Sequence, residues 1–396
     1  MSALVAPISD WPAGPAERAP AGPPLAAFRR QVREFVVERV APNADAWEAA
    51  RIFPRDVLAE MGQRGLLGLT SSRAVGGREA SLWHQVVLAE ELMRGRMFGF
   101  ALSVALHAFV CIPCLDDLGG RPEIRAALAA AIRGERVLGL ALTEPSGGSS
   151  LRTRTTEARR QGDQYVLSGE KIFITNGPIA DYLIVLAATD PARGHRGLSL
   201  FFVPTDRPGF SVREEQALLG LHTSPTGWLA FDQCAVPAAD LLGHENAAFH
   251  YAQKYTGLER LLGGIACVAY AQLVLDETIV HLRGRRIDGV SLGQHQVVRH
   301  RVAELLTRIE AARRLGYYAV ALLERGQRAA SEIAMVKLMG TELVQETIAQ
   351  CGQWYGGYGF LEGHPLARAA RDVRMATVGG GPSEVMKEII AAHTEL

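Results

Sequence analysis

Two short segments combine small residues, hydroxyl groups and turn signals in a way that suits a polar ligand. The first runs from Leu142 to Ser150 and reads LTEPSGGSS, a loop whose backbone N–H groups could face an anion or a polar ring. The second runs from Gly169 to Gly177 and reads GEKIFITNG, which predicts a strand that leads into an Asn-Gly turn. Neither segment is specific for one chemistry by itself.

A carboxylate beside a guanidinium and a run of three glycines are further candidates. Glu259 and Arg260 follow Tyr255 in a segment that we expect to open a long helix. By spacing alone, such a pair on a helix is most simply a solvated surface feature. Near the C-terminus, Gly379 to Gly381 predict at least a tight loop, because glycine adopts backbone conformations that other residues avoid.

A second group of residues suits phosphate oxygens. The guanidinium fork of Arg285 matches them, although a solvated basic turn is the alternative. Gln353 is followed by Gly356 and Gly357, and glycines allow a ligand to approach the backbone because no Cβ intervenes. The same glycines also suit the end of a helix, and both interpretations can hold at once.

The periodicity of apolar residues changes twice along the chain. Residues 1–24 are rich in alanine and proline and predict a flexible arm, and residues 25–136 show helical spacing, as at Phe28, Val32 and Phe35, with Pro42 closing the first helix. Residues 137–243 contain short runs of β-branched and aromatic residues that predict a β domain. Residues 244–396 return to long helical patterns, which predict an antiparallel bundle. The expected fold is therefore mainly α with a central β domain.

Composition excludes several classes of partner. The 396 residues include 42 basic and 42 acidic residues, so the formal net charge is zero and we expect no nucleic-acid partner. No apolar run is expected to reach the ~18 residues that a membrane span requires. Cys111 and Cys114 form a CxxC spacing inside an apolar stretch, which favours buried packing over zinc, and we expect no metal. Free cysteines and the lack of a targeting signal fit the cytoplasm.

The loop and the strand together resemble the TEPxxGSD and KxWITNG motifs of the acyl-CoA dehydrogenase family, and the similarity extends from about Phe28 to Ala392. The resemblance implies an N-terminal helical domain, a small β-barrel domain and a C-terminal four-helix bundle. It also implies an FAD-dependent enzyme of fatty acid or secondary metabolism. Such an enzyme removes a proton from the α carbon and a hydride from the β carbon of an acyl thioester.

The resemblance also implies a role for each motif residue. Contacts to the flavin ring would come from Leu142, Thr143, Ser149, Phe173 and Thr175, and Ser149 would also face the substrate. The remaining FAD contacts would be Arg285, Gln353, Gly356 and Gly357, which reach the FAD of a neighbouring subunit, together with Pro382 and Glu384. Sites shared in this way imply a homodimer or a homotetramer.

The catalytic glutamate of most family branches is replaced here by Gly380. In the isovaleryl-CoA and long-chain branches, the base lies instead at the position of Glu259, immediately before an arginine, and the loop position is small. The resemblance therefore makes Glu259 the base, whereas the backbone N–H of Gly380 binds the thioester oxygen. Arg260 would contact the pantetheine or phosphate end of the substrate, and Gly379 would leave open space for a branched or bulky acyl group.

Several alternatives stay open from sequence alone. Gly257 stands where the family often has an acidic residue that helps to hold CoA, so the carrier is either CoA or an acyl carrier protein. The expected electron acceptor is an electron-transfer flavoprotein. A flavin oxidase or monooxygenase, or a catalytically silent binding subunit, would share the same fold.

Overall fold

The protein is described from a computed structural model that covers residues 23–150 and 154–394. The expected arm, residues 1–24, lies almost entirely outside the described residues. The order of elements is a helical region, a sheet and a second helical region, which confirms the fold class predicted from the sequence.

The described part of the N-terminal region, from residue 23 onward, contains seven α-helices. They are α1 Leu25–Phe35, α2 Ala44–Ala50, α3 Asp56–Gln63, α4 Leu82–Leu92, α5 Phe98–Ala105, α6 Ile112–Leu118 and α7 Pro122–Ile132. Helix α1 buries Phe28, Val32 and Phe35, as their spacing predicts. The expectation that Pro42 closes this segment is wrong. The chain continues through a π turn, Val36–Val40, and a 3₁₀ turn, Ala41–Asn43, whose first positions tolerate a residue without an N–H.

The central region is one eight-stranded sheet. Its strands are β1 Leu138–Ala141, β2 Glu157–Gln161, β3 Gln164–Thr175, β4 Tyr182–Ala188, β5 Leu198–Pro204, β6 Phe210–Glu215, β7 Thr226–Pro237 and β8 Leu241–Leu242. The order of paired strands is β6-β7-β3-β2-β4-β5-β8, and β1 pairs with β4 in parallel. The predicted Asn-Gly turn follows β3, where Asn176 has a positive φ of 63°.

The C-terminal region consists of three long helices, two shorter ones and a small hairpin. They are α8 Ala248–Gly284, β9 Arg286–Ile287, β10 Val290–Ser291, α9 Gln296–Glu324, α10 Ala330–Tyr355, α11 Pro365–Asp372 and α12 Ser383–Ala391. Gly264 of α8 contacts Val336 and Gly340 of α10, whereas His281 stacks on Tyr355 further along both helices. Helices α8 and α10 therefore run in the same direction, with α9 returning between them.

The contact of α8 with α10 depends on glycine. A Cβ on Gly264 would lie 2.8 Å from the carbonyl oxygen of Val336, and a Cβ on Gly340 would lie 2.5 Å from that of Gly264. Real Cβ atoms do not approach so closely, so larger residues would force the helices apart. This contact, called here the glycine crossing, lies one helical turn beyond Arg260 on α8.

Two helical segments are long and apolar enough to cross a membrane by length and composition. They are Phe98–Leu118 and Ala248–Gly284, so the expectation that no run reaches this length is wrong. In the first, 83% of the most apolar window is buried inside the protein, and in the second 67%. Both segments are core helices, since their apolar residues already pack against other elements.

Candidate active site

Glu259 and the loop at Gly380 lie close together although they are 121 positions apart in the sequence. Helix α8 begins at Ala248, so Glu259 lies inside the helix rather than at its opening, and its side chain is partly buried. A Cβ placed on Gly380 would lie 3.5 Å from Oε1 of Glu259 and 3.7 Å from its Cδ. The carboxylate of Glu259 therefore occupies the space into which a side chain at position 380 would project.

Two cations from different helices hold the glycine loop, defined here as Gly379 to Gly381. Nε of Arg260 donates a hydrogen bond to the carbonyl oxygen of Gly380 at 2.7 Å. Nζ of Lys337, on α10, donates to the carbonyl oxygen of Gly381 at 2.6 Å. Gly380 and Gly381 have φ values of 66° and 102°, in the region that favours glycine. Arg260 thus has a partner inside the chain, besides the substrate contact expected from the sequence.

Burial is the largest influence on the pKa values of Glu259 and Lys337 in the cluster that they form with Arg260. It raises the pKa of Glu259, and the charges of Arg260 and Lys337 oppose the rise without cancelling it. Burial also lowers the pKa of Lys337 to about 8. A carboxylate with a raised pKa beside the cations Arg260 and Lys337 has the properties of a general base, because it binds a proton more readily than an exposed glutamate does.

The glycine loop does not border open space at its two ends. A Cβ on Gly379 would lie 2.4 Å from Cε of Met375, and one on Gly381 would lie 3.1 Å from Cε of Met386. The expectation that Gly379 leaves room for a bulky acyl group therefore stays a prediction, because that room would require the Met375 side chain to move aside. The space beside Gly379 is filled by the end of a flexible thioether side chain.

The loop that begins at Leu142 and strand β3 are joined by a buried ion pair. Nζ of Lys171, in β3, lies 2.7 Å from Oε1 of Glu144, and both side chains are fully buried. Glu144 also accepts hydrogen bonds from the backbone N–H groups of Thr155 and Thr156. Although burial alone would raise it, Lys171 and these donors hold the pKa of Glu144 at about 2. The ion pair fixes the loop at Leu142 against β3.

Phe173 is held outward beside this ion pair. The pairing of β3 with β7 shifts register between Lys171 and Ile174, and Phe173 in that bulge has a φ of 58°. Positive φ is strained for an aromatic residue, and such strain is concentrated at functional sites. The residue is 58% exposed, and the neighbouring N–H of Ile172 donates to the carbonyl oxygen of Thr143. The hydrogen bond from Ile172 thus places Thr143 next to the segment that carries Phe173, whereas Thr175 lies further along β3, paired with Thr226 of β7.

An apolar pocket connects the motif loop with the helix that carries Glu259. Its walls come from the helical segment before Leu118, from the first and fifth strands and from α8. They are Val110, Cys114, Leu140, Leu142, Leu200, Ala252, Tyr255 and Thr256. Thr256 precedes Glu259 by three residues and so shares its face of the helix. The loop that begins at Leu142 and the turn of α8 that precedes Glu259 therefore border the same pocket.

The other predicted FAD contacts lie at the opposite end of the bundle. Arg285 follows Glu259 by 26 residues along α8, roughly 39 Å at the rise of an α-helix. Gln353, Gly356 and Gly357 end the parallel helix α10 and are exposed at the same end as Arg285. The structure thus separates the predicted site residues into two groups within one chain.

The remaining predicted residues lie in, or shortly after, the two loops of the site. Ser149 is exposed, two positions before the undescribed residues 151–153. Pro382 precedes α12, and Glu384 is exposed in the first turn of that helix. All three stay predictions as ligand contacts.

Sequence reasoning missed Lys337 and the partners Glu144 and Lys171. A signal for Lys337 was available: a lysine between Val336 and Gly340 interrupts the apolar face of a helix. Its side chain is buried, with only 3% of the residue surface exposed. A lysine at such a position needs a specific acceptor, which in this structure is the carbonyl of Gly381.

Comparisons with known proteins agree with this geometry. The chain matches the N-terminal, middle and C-terminal domain profiles of acyl-CoA dehydrogenases over residues 24–135, 139–234 and 246–394. It is 33% identical to isovaleryl-CoA dehydrogenase of Pongo abelii, covering 92% of this chain and 86% of that protein. It is 32% identical to the long-chain enzyme of Sus scrofa, covering 92% and 85%.

Solved structures of this family also resemble the chain over nearly its whole length. An acyl-CoA dehydrogenase from Geobacillus kaustophilus superposes with a TM-score of 0.90 at 33% identity, covering 94% of this chain and 98% of that one. The prolyl acyl carrier protein oxidase AnaB superposes with a TM-score of 0.88 at 27% identity, covering 94% and 99%.

The fold and the site define a flavin-dependent oxidoreductase. The chain belongs to the acyl-CoA dehydrogenase family, whose cofactor is FAD. The residues present fit this cofactor, because the exposed ring of Phe173 and the adjoining loop at Leu142 and Thr143 offer an apolar face and backbone groups to a planar ring.

Proposed function

We propose that the protein catalyses α,β-dehydrogenation of an acyl thioester, with Glu259 abstracting the α proton. The observation that carries the proposal is the position of the carboxylate, 3.5 Å from where a side chain of residue 380 would begin. Bound FAD supplies a hydride acceptor for the β carbon at its N5 atom. The product gains a carbon–carbon double bond, the α proton rests on Glu259, and the hydride would carry two electrons to the cofactor.

The backbone N–H of Gly380 is the proposed donor to the thioester oxygen. Negative charge develops on this oxygen as the α proton leaves, and the loss of one such donor typically costs about 3 kcal/mol of transition-state stabilisation. The N–H needs a fixed direction, and the hydrogen bond from Arg260 to the neighbouring carbonyl restrains the loop. Arg260 thereby supports the donor whether or not it also contacts the carrier.

The acyl group is proposed to enter between the apolar walls one turn before Glu259, and because the cavity there holds only about 10 Å³, side chains must move apart to admit it. The walls are predominantly aliphatic, with the thiol of Cys114 and the hydroxyls of Tyr255 and Thr256 as polar groups. The hydroxyl of Tyr255 donates to Asp117 at 2.8 Å, so it already has a partner. These walls favour a hydrocarbon chain, straight or branched, over a charged acyl group.

The separation of the two site groups supports an assembled enzyme. Arg285 and Gln353 are too far from Glu259 to reach the part of FAD that lies beside it in the same chain. We therefore propose that they bind the FAD of a partner subunit in a homodimer or homotetramer. An electron-transfer flavoprotein is the proposed electron acceptor, and the free, buried state of all five cysteines supports a cytoplasmic location.

The test uses Glu259→Gln, which keeps the size of the side chain and removes its basicity. The purified yellow protein is titrated anaerobically with isovaleryl-CoA, octanoyl-CoA and cyclohexane-1-carbonyl-CoA, and with the same acyl groups on a carrier protein. The wild type is expected to bleach with at least one of them, whereas the variant keeps FAD and its colour. Full bleaching of the variant would exclude Glu259 as the base, and peroxide release by the wild type in air would indicate an oxidase.

A further inference from the structure

The glycine loop has no side chains of its own with which to fix its conformation. Three consecutive glycines have more backbone freedom than any other run of residues, and two of these have positive φ. Hydrogen bonds from outside the loop must therefore restrain the peptide planes that follow the Gly380 N–H. Those donors are Arg260 on α8 and Lys337 on α10.

We propose that Lys337 is a positioning residue for the reaction: its ammonium holds the Gly381 carbonyl and so fixes the glycine loop against Glu259. This inference rests on the proposed function, because it assigns a reason for the loop to be fixed at that place. Lys337 does not touch the acyl group in this proposal. It acts by holding the glycine loop in place and by the effect of its positive charge on Glu259.

The placement of Lys337 follows from the helix packing. Val336 and Gly340 form the α10 side of the glycine crossing, and Lys337 lies between them in sequence. The crossing brings α10 so close to α8 that a lysine there reaches the loop beside Arg260. The hydroxyl of Thr341 donates to the carbonyl oxygen of Lys337 at 2.8 Å.

Helix α10 contacts the same loop region a second time. Nε2 of Gln345 donates to the carbonyl oxygen of Val373 at 3.1 Å and to the hydroxyl of Thr377 at 3.0 Å. These contacts anchor the segment that enters the glycine loop, whereas Lys337 anchors its exit. The loop is thus tied to α10 on both sides of Gly380.

The charge of Lys337 also bears on the proposed base. The groups that influence Glu259 are Arg260 on its own helix and Lys337 on α10, and the thiol of Cys111 lies within the field of the carboxylate. Lys337 itself is influenced by Cys267, Glu259, Arg260 and Glu342. Removal of the ammonium leaves Arg260 as the one remaining cation of this described cluster, and the pKa of Glu259 is then expected to rise further.

The experiment compares Lys337→Met, which removes the charge and the donor, with Lys337→Gln, which keeps a donor without the charge. Thr341→Val is the control, because it removes a buried hydrogen bond from the same turn of α10 without touching the loop. FAD content and thermal unfolding show whether each variant is folded. Two readouts follow: hydrogen exchange of a peptide that spans the glycine loop, and the pH dependence of anaerobic flavin reduction by isovaleryl-CoA, octanoyl-CoA or cyclohexane-1-carbonyl-CoA, whichever reduces the wild type fastest.

In Lys337→Met, the amide hydrogens of the glycine loop are expected to exchange faster than in the wild type. Flavin reduction by the thioester is expected to be about 10- to 100-fold slower, since small displacements of catalytic groups have effects of this size. In both Lys337 variants, the pH at which the rate of flavin reduction reaches half its maximum is expected to be higher by about one pH unit. Lys337→Gln should keep slower loop exchange than Lys337→Met. Thr341→Val should change only stability.

Unchanged loop exchange in Lys337→Met, or faster exchange with an unchanged rate and pH profile, would overturn the proposal. So would an equal effect of Thr341→Val. A failure of the proposed function looks different: the wild type would then bleach with no thioester, whereas loop exchange would still report whether Lys337 holds the loop.

Discussion

The position of the base can be tested by moving it across the site. A Cβ on Gly380 meets Oε1 of Glu259 at 3.5 Å, which is ordinary van der Waals contact, so a side chain fits at 380 once Glu259 is shortened. The length of a glutamate beyond its Cβ spans this separation. The double variant Glu259→Ala/Gly380→Glu is therefore expected to place a carboxylate close to where Oε1 of Glu259 now lies.

The structure also sets the expected magnitudes. Glu259→Ala alone should slow flavin reduction about 10²- to 10⁴-fold, the usual contribution of a general base. The double variant should recover at least about tenfold of this loss, although residue 380 has a φ of 66°. A non-glycine residue in this conformation costs about 1–2 kcal/mol, so the double variant should be less stable than Glu259→Ala by that amount.

The assay is anaerobic stopped-flow flavin reduction with the best thioester substrate of the wild type, together with chemical unfolding of each variant. Gly380→Ala, which adds the strain without a carboxylate, is the matched control. The reasoning would be refuted if the double variant were folded and loaded with FAD but no faster than Glu259→Ala.

Two further predictions concern charge. The rate of flavin reduction, measured by stopped flow, should rise with pH through the pKa of Glu259, because only the ionised carboxylate can accept a proton. Burial raises this pKa, so the midpoint of the rise should lie above that of an ordinary glutamate. A midpoint at or below the ordinary value would contradict the prediction. Lys171→Met should lower the free energy of unfolding by about 3–5 kcal/mol and reduce FAD retention, because it strands Glu144 as an unpaired buried charge. In the wild type the depressed pKa of Glu144 contributes stability above about pH 4.5 that is lost as the pH falls toward 2, and unfolding curves of Lys171→Met should lack this loss.

Residue patterns within a short segment predicted the helices, strands and turns better than they predicted the contacts between these elements. The apolar spacing at Phe28, Val32 and Phe35 predicted α1 correctly, and the Asn-Gly turn after β3 was predicted from two residues. The continuation past Pro42 was missed because a proline in the first turn of a new helical segment gives the same signal as one that ends a helix.

The site was predicted in part, and the reason lies in which contacts are local. Glu259 and Gly380 were paired by resemblance, and their proximity in the structure is a contact between α8 and a distant loop. The space beside Gly379 depends on the rotamer of Met375, which sequence does not specify. The hold of Lys337 on Gly381 depends on how closely two helices approach, and this follows from Gly264 and Gly340 together rather than from either segment alone.

The glycine crossing has a consequence for how this enzyme can diverge. Displacements of two packed helices are smallest at their point of closest contact and grow with distance from it. Arg260 and Lys337 lie within about one turn of that point, so their spacing tolerates sequence drift elsewhere in the bundle. Pocket walls such as Val110 and Leu200 belong to other elements and can change in size without altering that spacing. The architecture thereby separates what must stay constant, the spacing of Arg260 and Lys337 around the glycine loop, from what selection can vary, the size of the pocket walls.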